Sequence, residues 1–380
     1  MKKEDAKRSR LSCILISGAF IGFTAFFTLG TLFMPDRKFS QMENRPLAQK
    51  PQISGENVIS GQFGQDTEKY MSDQIILKDG MVKLKTGCDR LMGRTLINGV
   101  YFGDDGYMLQ RYSENEAQLT ENAGAIKAFA DSCTVPVDMI LSPNSICLNA
   151  NKLPSGAVSD DQLKSVAKFN SLLGENIEVY NAFDDLKALE NSGIQAFYRT
   201  DHHWTSSAAR AVCDGWLESI GESGTDAAYE YVTVPGFYGT LYSKAPSPSA
   251  EADEFGYYIN PDGKYNVEFI LEQEEMDGFI DGEKLSEKDK YGAFFGGNYA
   301  LMKITSNAPG GKKLLVLKDS YANAMLPLLA DKYSEIWVMD LRYCKTMTAS
   351  EVIEQNGIGS VLMIYNLDFL NEDKNFVWLG

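Results

Sequence analysis

A run of 24 residues without an acidic or basic side chain, from Leu11 to Met34, constrains this chain more than any other feature. Such a run is long enough to cross the ~30 Å hydrocarbon core of a bilayer as a helix. Five lysines and arginines precede it, and basic residues stay on the cytoplasmic side of a membrane. The sequence therefore predicts a cytoplasmic basic tail at 1–10, a transmembrane anchor at 11–34, and a single-pass protein of the cell membrane whose main domain is extracytoplasmic.

A cleaved signal peptide is the alternative interpretation of this N-terminus. Its apolar region would span ~7–15 residues and end in a small-x-small cleavage site. Bulky apolar residues such as Leu32 and Phe33 instead fill the end of this run, which favours an uncleaved anchor. Gly18 and Gly22 form a small-xxx-small pair that lets membrane helices approach closely, although glycine is common in such helices whether or not they pair.

The rest of the chain is globular in composition and strongly acidic. Hydrophobic residues make up 44% of the sequence, and the net charge is −16, of which the first ten residues contribute +3. The part beyond the tail lacks a basic cluster with interleaved aromatic residues, which argues against a nucleic-acid partner. A neutral glycan or a small acyl donor is a better match for such a surface.

Cysteine and histidine give no support to a disulfide framework, a zinc site or another cofactor. Five cysteines follow the anchor, an odd number, and none has C-x-x-C spacing. The two histidines of the chain are adjacent, and adjacent side chains are expected to diverge, so we predict no metal.

Composition divides the extracytoplasmic part into a linker and a domain. Residues 35–60, which include Pro46 and Pro51, are predicted to form an extended tether. Residues 61–380 form the predicted domain, which begins with helical periodicity at 63–92 and a hairpin at 98–107.

Strand-like and helix-like segments then alternate, which predicts an α/β domain with a mostly parallel sheet flanked by helices. The predicted strands are 135–141, 177–180, 314–317, 336–339 and 361–364, and the predicted helices are 162–173, 184–189 and those that begin at Tyr321 and Thr348. Residues from about 225 to 292 are rich in Gly, Pro, Ser, Tyr and acidic residues. We predict there an irregular insertion that roofs a cleft, with only short strand-like runs such as 267–271.

Both histidines lie in one segment that carries the residues of a catalytic base. Asp201 and His203 are two positions apart, so in an extended segment they share a face while His202 points to the other side. The carboxylate can then orient the His203 ring as a general base. A loop histidine pair with Trp204 as a core residue is one alternative, and a metal site is another. Thr205 is the expected N-cap of a following helix.

A nucleophile is expected at Ser320, where an apolar strand ends and a helix opens. Backbone N–H groups at the helix start would stabilise the oxyanion that forms when Ser320 attacks an ester. Alternatively, Asp319 or Ser320 only caps that helix. Combined with the Asp-x-His segment, Ser320 supplies the third role of a hydrolytic triad.

At these two segments the sequence resembles the DHHW protein family, named for the run from Asp201 to Trp204, and through it the SGNH-hydrolase-like alginate O-acetyltransferases. The resemblance is supported by the segments 43–47, 98–101 and 296–298, together with the Asp-Ser pair at 319–320. The resemblance implies an SGNH-hydrolase-like fold with Asp201, His203 and Ser320 as the triad and His202 at a variable position. Lys318 stands where the family pattern has Gly.

The resemblance also implies oxyanion donors near the ends of the strands that follow the nucleophile. Asn366 is the first candidate and Arg342 the second. Asn298 is a third candidate, although it precedes the nucleophile strand. A turn or capping role is the alternative for each.

These features predict a serine-dependent acyltransferase that passes an acetyl group to an exported or cell-surface polysaccharide. By analogy with the alginate system, the implied partner is a multipass membrane acyltransferase that delivers the acetyl donor. A carbohydrate acetylesterase is one alternative. A non-catalytic glycan-binding or scaffold subunit of a polysaccharide export complex is another, and tyrosines of the insertion such as Tyr257 and Tyr258 would suit sugar stacking.

Overall fold

The computed structural model of the chain describes residues 2–224 and 228–380, and it describes side chains from residue 10 onward. The side chains of the predicted basic tail up to residue 9 and the first residues of the predicted insertion, 225–227, lie outside the described residues. The chain divides into two compact units, one of residues 1–92 with 246–248 and one of residues 93–245 with 249–380.

The first unit begins with a long apolar helix. Its elements are α1 Lys2–Phe33, β1 Phe39–Ser40, β2 Arg45–Pro46, α2 Gly55–Ile59, α3 Gln62–Gln74 and α4 Lys78–Leu91. Within α1, residues Arg10–Phe33 are long and apolar enough to cross a membrane, and none of them is buried. The helices predicted at 63–92 are confirmed as α3 and α4.

Residues 35–60 are more structured than the predicted extended tether. Strands β1 and β2 pair as an antiparallel hairpin, and α2 begins at residue 55. The buried carboxylate of Asp73 accepts hydrogen bonds from both Arg45 Nη atoms at 2.9 and 2.6 Å, from Lys78 Nζ at 2.9 Å and from the Ala48 backbone at 2.8 Å. These bonds between distant residues attach the segment to α3, and residue composition gives no signal of them.

The second unit contains the remaining elements. Its strands are β3 Leu96–Ile97, β4 Val100–Phe102, β5 Met108–Gln110, β6 Val137–Ser142, β7 Glu178–Asn181, β8 Glu230–Phe237, β9 Asp253–Ile259, β10 Tyr265–Phe269, β11 Glu274–Asp277, β12 Leu301–Ser306, β13 Lys313–Lys318, β14 Glu335–Met339 and β15 Ser360–Asn366. Its α-helices are α5 Glu116–Ser132, α6 Ser145–Leu148, α7 Gln162–Leu173, α8 Phe183–Asn191, α9 Ser206–Ser219, α10 Thr240–Lys244, α11 Leu326–Leu329, α12 Ala349–Asn356 and α13 Leu367–Glu372.

Among the described residues, eight strands form one mixed sheet in the order β11-β10-β12-β14-β13-β15-β6-β7. The five strands from β14 to β7 run parallel, whereas β12, β10 and β11 are antiparallel. Alternate residues of β13 enter two separate apolar cores, Leu314 and Val316 on one face, Leu315 and Leu317 on the other. Residues of α9 complete the first core and residues of α5, α7 and α12 the second, so helices cover both faces as predicted.

The described part of the segment predicted as an irregular insertion at 225–292 contains four strands, so it is more regular than predicted. Strands β8 and β9 pair as one antiparallel hairpin, and β10 and β11 form a second hairpin that joins the main sheet beside β12. Short strand-like runs such as 267–271 are visible in the sequence, and β10 lies at that run. The pairings of β10 with β12 and of β8 with β9 join segments that are distant in the chain, and register and burial decide such pairings more than local propensity does.

Candidate active site

Ser320 lies at the carboxyl end of β13, where it begins a 3₁₀ helix that spans Ser320–Ala324. Asp319 precedes it and is buried. One Asp319 carboxylate oxygen accepts the Tyr321 backbone N–H at 2.8 Å, and the other accepts the backbone and side-chain N–H groups of Asn366 at 2.7 and 2.5 Å. Because Asn366 ends the neighbouring parallel strand β15, Asp319 fixes the serine loop to the sheet. The predicted capping role of Asp319 is therefore present beside the nucleophile.

The histidine segment forms a closed loop that reaches the same edge of the sheet. Phe197 and Trp204 form an antiparallel bridge, and the Thr205 backbone N–H donates to the Ala196 carbonyl at 2.8 Å. Trp204 is fully buried, and its indole N–H donates to the Tyr321 carbonyl at 2.9 Å. Trp204 is therefore both a core residue and a link between the histidine loop and the serine loop.

The three side chains of the predicted triad meet, although 117 positions separate the histidine from the serine. His203 Nε2 lies 2.7 Å from Ser320 Oγ, and His203 Nδ1 lies 2.8 Å from Asp201 Oδ1. The Thr240 backbone N–H donates to Asp201 Oδ2 at 3.0 Å. A Cβ atom at Gly239 would lie 1.9 Å from the same oxygen, so only glycine fits beside the carboxylate.

Burial and charge hold His203 in the state that a general base needs. Burial and the neighbouring His202 ring together lower the pKa of His203 to about 4, although Asp201 opposes them. Burial also disfavours the Asp201 carboxylate, but the two imidazole rings outweigh it and keep the pKa of Asp201 well below its usual range. At neutral pH the ring is neutral, so Nδ1–H donates to Asp201 and Nε2 is an acceptor toward the serine hydroxyl.

Tyr291 supports the His203 imidazole, and sequence reasoning missed it. Its ring stacks on His203 with centroids 3.6 Å apart and planes 5° from parallel. Its hydroxyl donates to the Ser320 carbonyl at 3.0 Å. Tyr291 therefore restrains the base and the nucleophile at once. It belongs to a segment predicted as irregular, where one more tyrosine carries no distinguishing signal.

His202 does not point away from Asp201, so that prediction is wrong. Its Nδ1 lies 3.0 Å from Asp201 Oδ1 and 2.5 Å from Thr240 Oγ1, and its ring centroid is 3.8 Å from that of His203. Residues 201–203 bend inside the closed loop instead of running extended. Side chains alternate between two faces only in an extended strand, so the bend lets both rings share one carboxylate oxygen.

The same bend brings three potential metal ligands together. The ligand atoms of Asp201, His202 and His203 lie within 4.8 Å of one another, so the expectation that adjacent histidine rings diverge is wrong. Both Nδ1 atoms approach Asp201 Oδ1 at 2.8 and 3.0 Å, which are ordinary lengths for N–H···O hydrogen bonds. The absence of a metal stays a prediction.

Two of the predicted oxyanion donors direct their side chains to carboxylates. Asn366 caps α13, where its Oδ1 accepts the Phe369 N–H at 3.1 Å, and its amide N–H donates to Asp319. Arg342 donates through Nε and Nη2 to Asp340 at 2.9 and 2.6 Å. The capping alternative for Asn366 is therefore present in the structure. An oxyanion role for either residue stays a prediction.

Asn298 reaches the site edge because β12 is antiparallel, which places the start of that strand beside the ends of the parallel ones. Its Oδ1 accepts hydrogen bonds from Lys318 Nζ at 2.8 Å and from Asn323 Nδ2 at 3.1 Å. Lys318 is fully buried. Its Nζ donates to Asn323 Oδ1 at 2.6 Å and lies 3.9 Å from Asp340 Oδ2. Burial lowers the pKa of Lys318 to about 8. Lys318 and Asn323 flank Ser320 in sequence, so their hydrogen bond braces the nucleophile loop.

The sequence and the fold resemble those of known proteins. The family model for DHHW protein matches residues 123–339, which include both the histidine loop and Ser320. A DHHW family protein from Eubacterium siraeum superimposes with a TM-score of 0.64 at 24% identity, over 73% of this chain and 93% of that one. The structure of Bacillus cereus PatB1 with a sulfonyl adduct gives a TM-score of 0.62 at 21% identity, over 74% and 98% of the two chains.

A more distant likeness is to the O-acetyltransferase domain of Pseudomonas putida AlgJ, with a TM-score of 0.49 and 13% identity over 73% of this chain and 93% of that one. Among curated proteins, none matches the sequence significantly. At these identities the solved structures establish a shared fold and nothing more specific.

Proposed function

The chain belongs to the DHHW protein family, and from that membership and the site geometry we propose that it transfers an acyl group through Ser320 to a hydroxyl of an exported or cell-surface polysaccharide. The observation that carries the proposal is the continuous hydrogen-bonded relay from Asp201 through His203 to Ser320, with distances of 2.8 and 2.7 Å. The SGNH-hydrolase-like fold and the choice of acetyl as the acyl group rest on the family resemblance.

The relay assigns each residue one step. Neutral His203 accepts the Ser320 proton as Oγ attacks the carbonyl carbon of the donor ester, and the resulting imidazolium is stabilised by ionised Asp201. Collapse of the tetrahedral intermediate breaks the donor ester bond, and the leaving alkoxide takes the proton from His203. An acceptor hydroxyl, deprotonated by the same ring, then attacks acyl-Ser320 and restores the serine.

The location of the domain follows from α1 in this proposal. The basic residues before the apolar run place the N-terminus in the cytoplasm, so the catalytic unit lies outside. Activated acyl thioesters are made in the cytoplasm, so the donor has to be delivered across the membrane. A multipass membrane acyltransferase is the partner of matching chemistry. A net charge of −16 on the chain favours a neutral acceptor over a polyanion.

The proposal is tested with the full chain in detergent micelles and a chromogenic acetyl ester. We expect ester turnover that Ser320→Ala reduces to background, whereas Ser219→Ala, an exposed serine on α9, leaves it unchanged. Mass spectrometry of the acid-quenched protein should find the acyl group on Ser320. A sulfonyl fluoride should inactivate the protein by labelling Ser320, because an activated hydroxyl attacks sulfonyl centres. Undiminished turnover in Ser320→Ala would exclude Ser320 as the nucleophile of the ester hydrolysis.

An acetylesterase would use the same three residues and differ only in the acceptor. Adding neutral oligosaccharides to the assay separates the two activities, because a transferase produces acetylated sugar at the expense of free acetate. A scaffold subunit would give neither product.

A further inference from the structure

The helix α4 of the first unit has an inverted distribution of apolar residues. Leu84 and Leu91 are 67% and 90% exposed, and Cys88 on the same side is also exposed. Thr86 and Asp89, on the opposite side, are only 4% and 5% exposed. A surface helix normally buries its apolar side and exposes its polar side. The outward side of α4 is therefore apolar, and no described element of the first unit covers it.

The outward residues follow the spacing of a helix–helix contact. Half-buried Met81 and exposed Leu84, Cys88 and Leu91 are separated by three, four and three positions, and at 100° per residue they fall within an arc of about 80°. Exposed Leu77, four positions before Met81, lies at the helix start and continues the pattern. Such a narrow stripe with 3-4 spacing is the seam of a coiled coil, in which each side chain packs between residues of a facing helix. We call residues 81, 84, 88 and 91 the α4 seam.

The position of α4 beside the anchor determines which helix can face the seam. The Ile76 backbone N–H donates to Thr31 Oγ1 at 3.2 Å, and a Cβ at Gly30 would touch the Ile76 side chain. Thr31 lies in the last turn of the apolar span. Every copy of the chain in one membrane therefore presents the seam at the same height above the bilayer. Gly18 and Gly22 of α1 have open space around them, which permits a close approach of two anchors as well.

We propose that two copies of this chain associate in the membrane by packing their α4 seams against each other. A second copy carries the same seam at the same height, so a two-fold axis along the membrane normal makes the pair self-complementary. The seam is too narrow for a helix that lies on the bilayer surface, which requires a broad apolar face and usually aromatic anchors, and α4 has no aromatic residue. The inference rests on the membrane anchor and is independent of acyl transfer.

The size of the seam predicts where the dimer forms. Four turns of helix bury less than the ~1,200 Å² typical of stable soluble complexes. Anchoring in one membrane raises the effective concentration of the second copy and compensates for the small contact. The dimer is therefore expected in membranes and not for dilute protein freed from them.

Disulfide cross-linking in native-like membranes tests the contact. The full chain carries Cys13→Ser, so that anchor contacts do not contribute, and copper-phenanthroline serves as the oxidant. Cys88 lies on the seam. In a Cys88→Ala background, Leu84→Cys places a thiol on the seam, and Lys85→Cys places one a single position away on the flank. Disulfides form only where Cα atoms come within about 7 Å.

We expect Cys88 and Leu84→Cys to yield a band at twice the 42.2 kDa chain mass, at least about tenfold stronger than that of Lys85→Cys. Leu84→Asp in the chain that keeps Cys88 should weaken the band about tenfold, because a carboxylate enters an apolar contact, while ester turnover stays unchanged. Equal cross-linking on and off the seam would overturn the proposal. Cross-linking of seam thiols to a protein of different mass would overturn it too, and assign the seam to that partner.

Discussion

The two adjacent histidines allow a prediction in which one side chain is the control for the other. Replacement of His203 by Ala removes the group 2.7 Å from Ser320 Oγ. Loss of a general base typically costs ~10²–10⁴-fold in rate, and more where the base activates a nucleophile. His202→Ala removes a ring that touches Asp201 but not Ser320, so it should leave a measurable fraction of the turnover.

The pH dependence of turnover makes the distinction sharper. The base acts in its neutral form, and the pKa of His203 is lowered to about 4, so activity should be full at neutral pH and fall only as the pH drops through about 4. The neighbouring His202 ring is the second cause of that lowering, after burial. Without the His202 ring, the pKa of His203 should rise toward its ordinary value, and the acid limb of the profile should move to higher pH.

The assay is the rate of ester hydrolysis from pH 3.5 to 8 for the two variants and the unaltered chain, with circular dichroism at each pH to verify folding. Equal loss in both variants would refute the assignment of the base to His203 alone. An acid limb that does not move in His202→Ala would refute electrostatic coupling between the rings. Intact activity in both variants would favour the non-catalytic scaffold.

Three further substitutions test the elements that support the site. Gly239→Ala should abolish turnover and lower the free energy of unfolding by about 1–3 kcal/mol, because the added Cβ would collide with Asp201. The control is Gly124→Ala in α5, where the Cβ enters open space. This control should raise the melting temperature slightly. Tyr291→Phe keeps the stack on the imidazole and loses one hydrogen bond, so it should lower the free energy of unfolding measured in urea by about 1 kcal/mol. A decrease as large as that caused by Tyr291→Ala would contradict the stacking role. Lys318→Met removes the hydrogen bonds to Asn298 and to buried Asn323 and leaves the Asn323 Oδ1 without its lysine donor. The variant should therefore lower the free energy of unfolding by ~2 kcal/mol or more in the same assay. An unchanged unfolding midpoint would contradict the bracing role of Lys318.

Much of the architecture follows from local patterns. Continuous apolar runs mark β13, β14 and β15, because strands of a parallel sheet are buried on both faces. Helix α7 has the predicted bounds, Gln162–Leu173, and Thr205 caps α9 by accepting the Ala208 N–H at 3.2 Å. Periodicity and capping involve residues within one or two turns, so they are visible without knowledge of the fold.

Some features of the candidate site are likewise visible in the sequence, whereas others depend on the tertiary structure. The residue types Asp, His and Ser in two short segments single out Asp201, His203 and Ser320 as candidates from the sequence, because so few side chains can act as base and nucleophile. Three features required the tertiary structure: the placement of His202 beside Asp201, the stack of Tyr291 on the imidazole, and the pairing of β10 with β12. Each depends on a bend or a pairing between distant residues, and such contacts leave no periodic trace in the sequence.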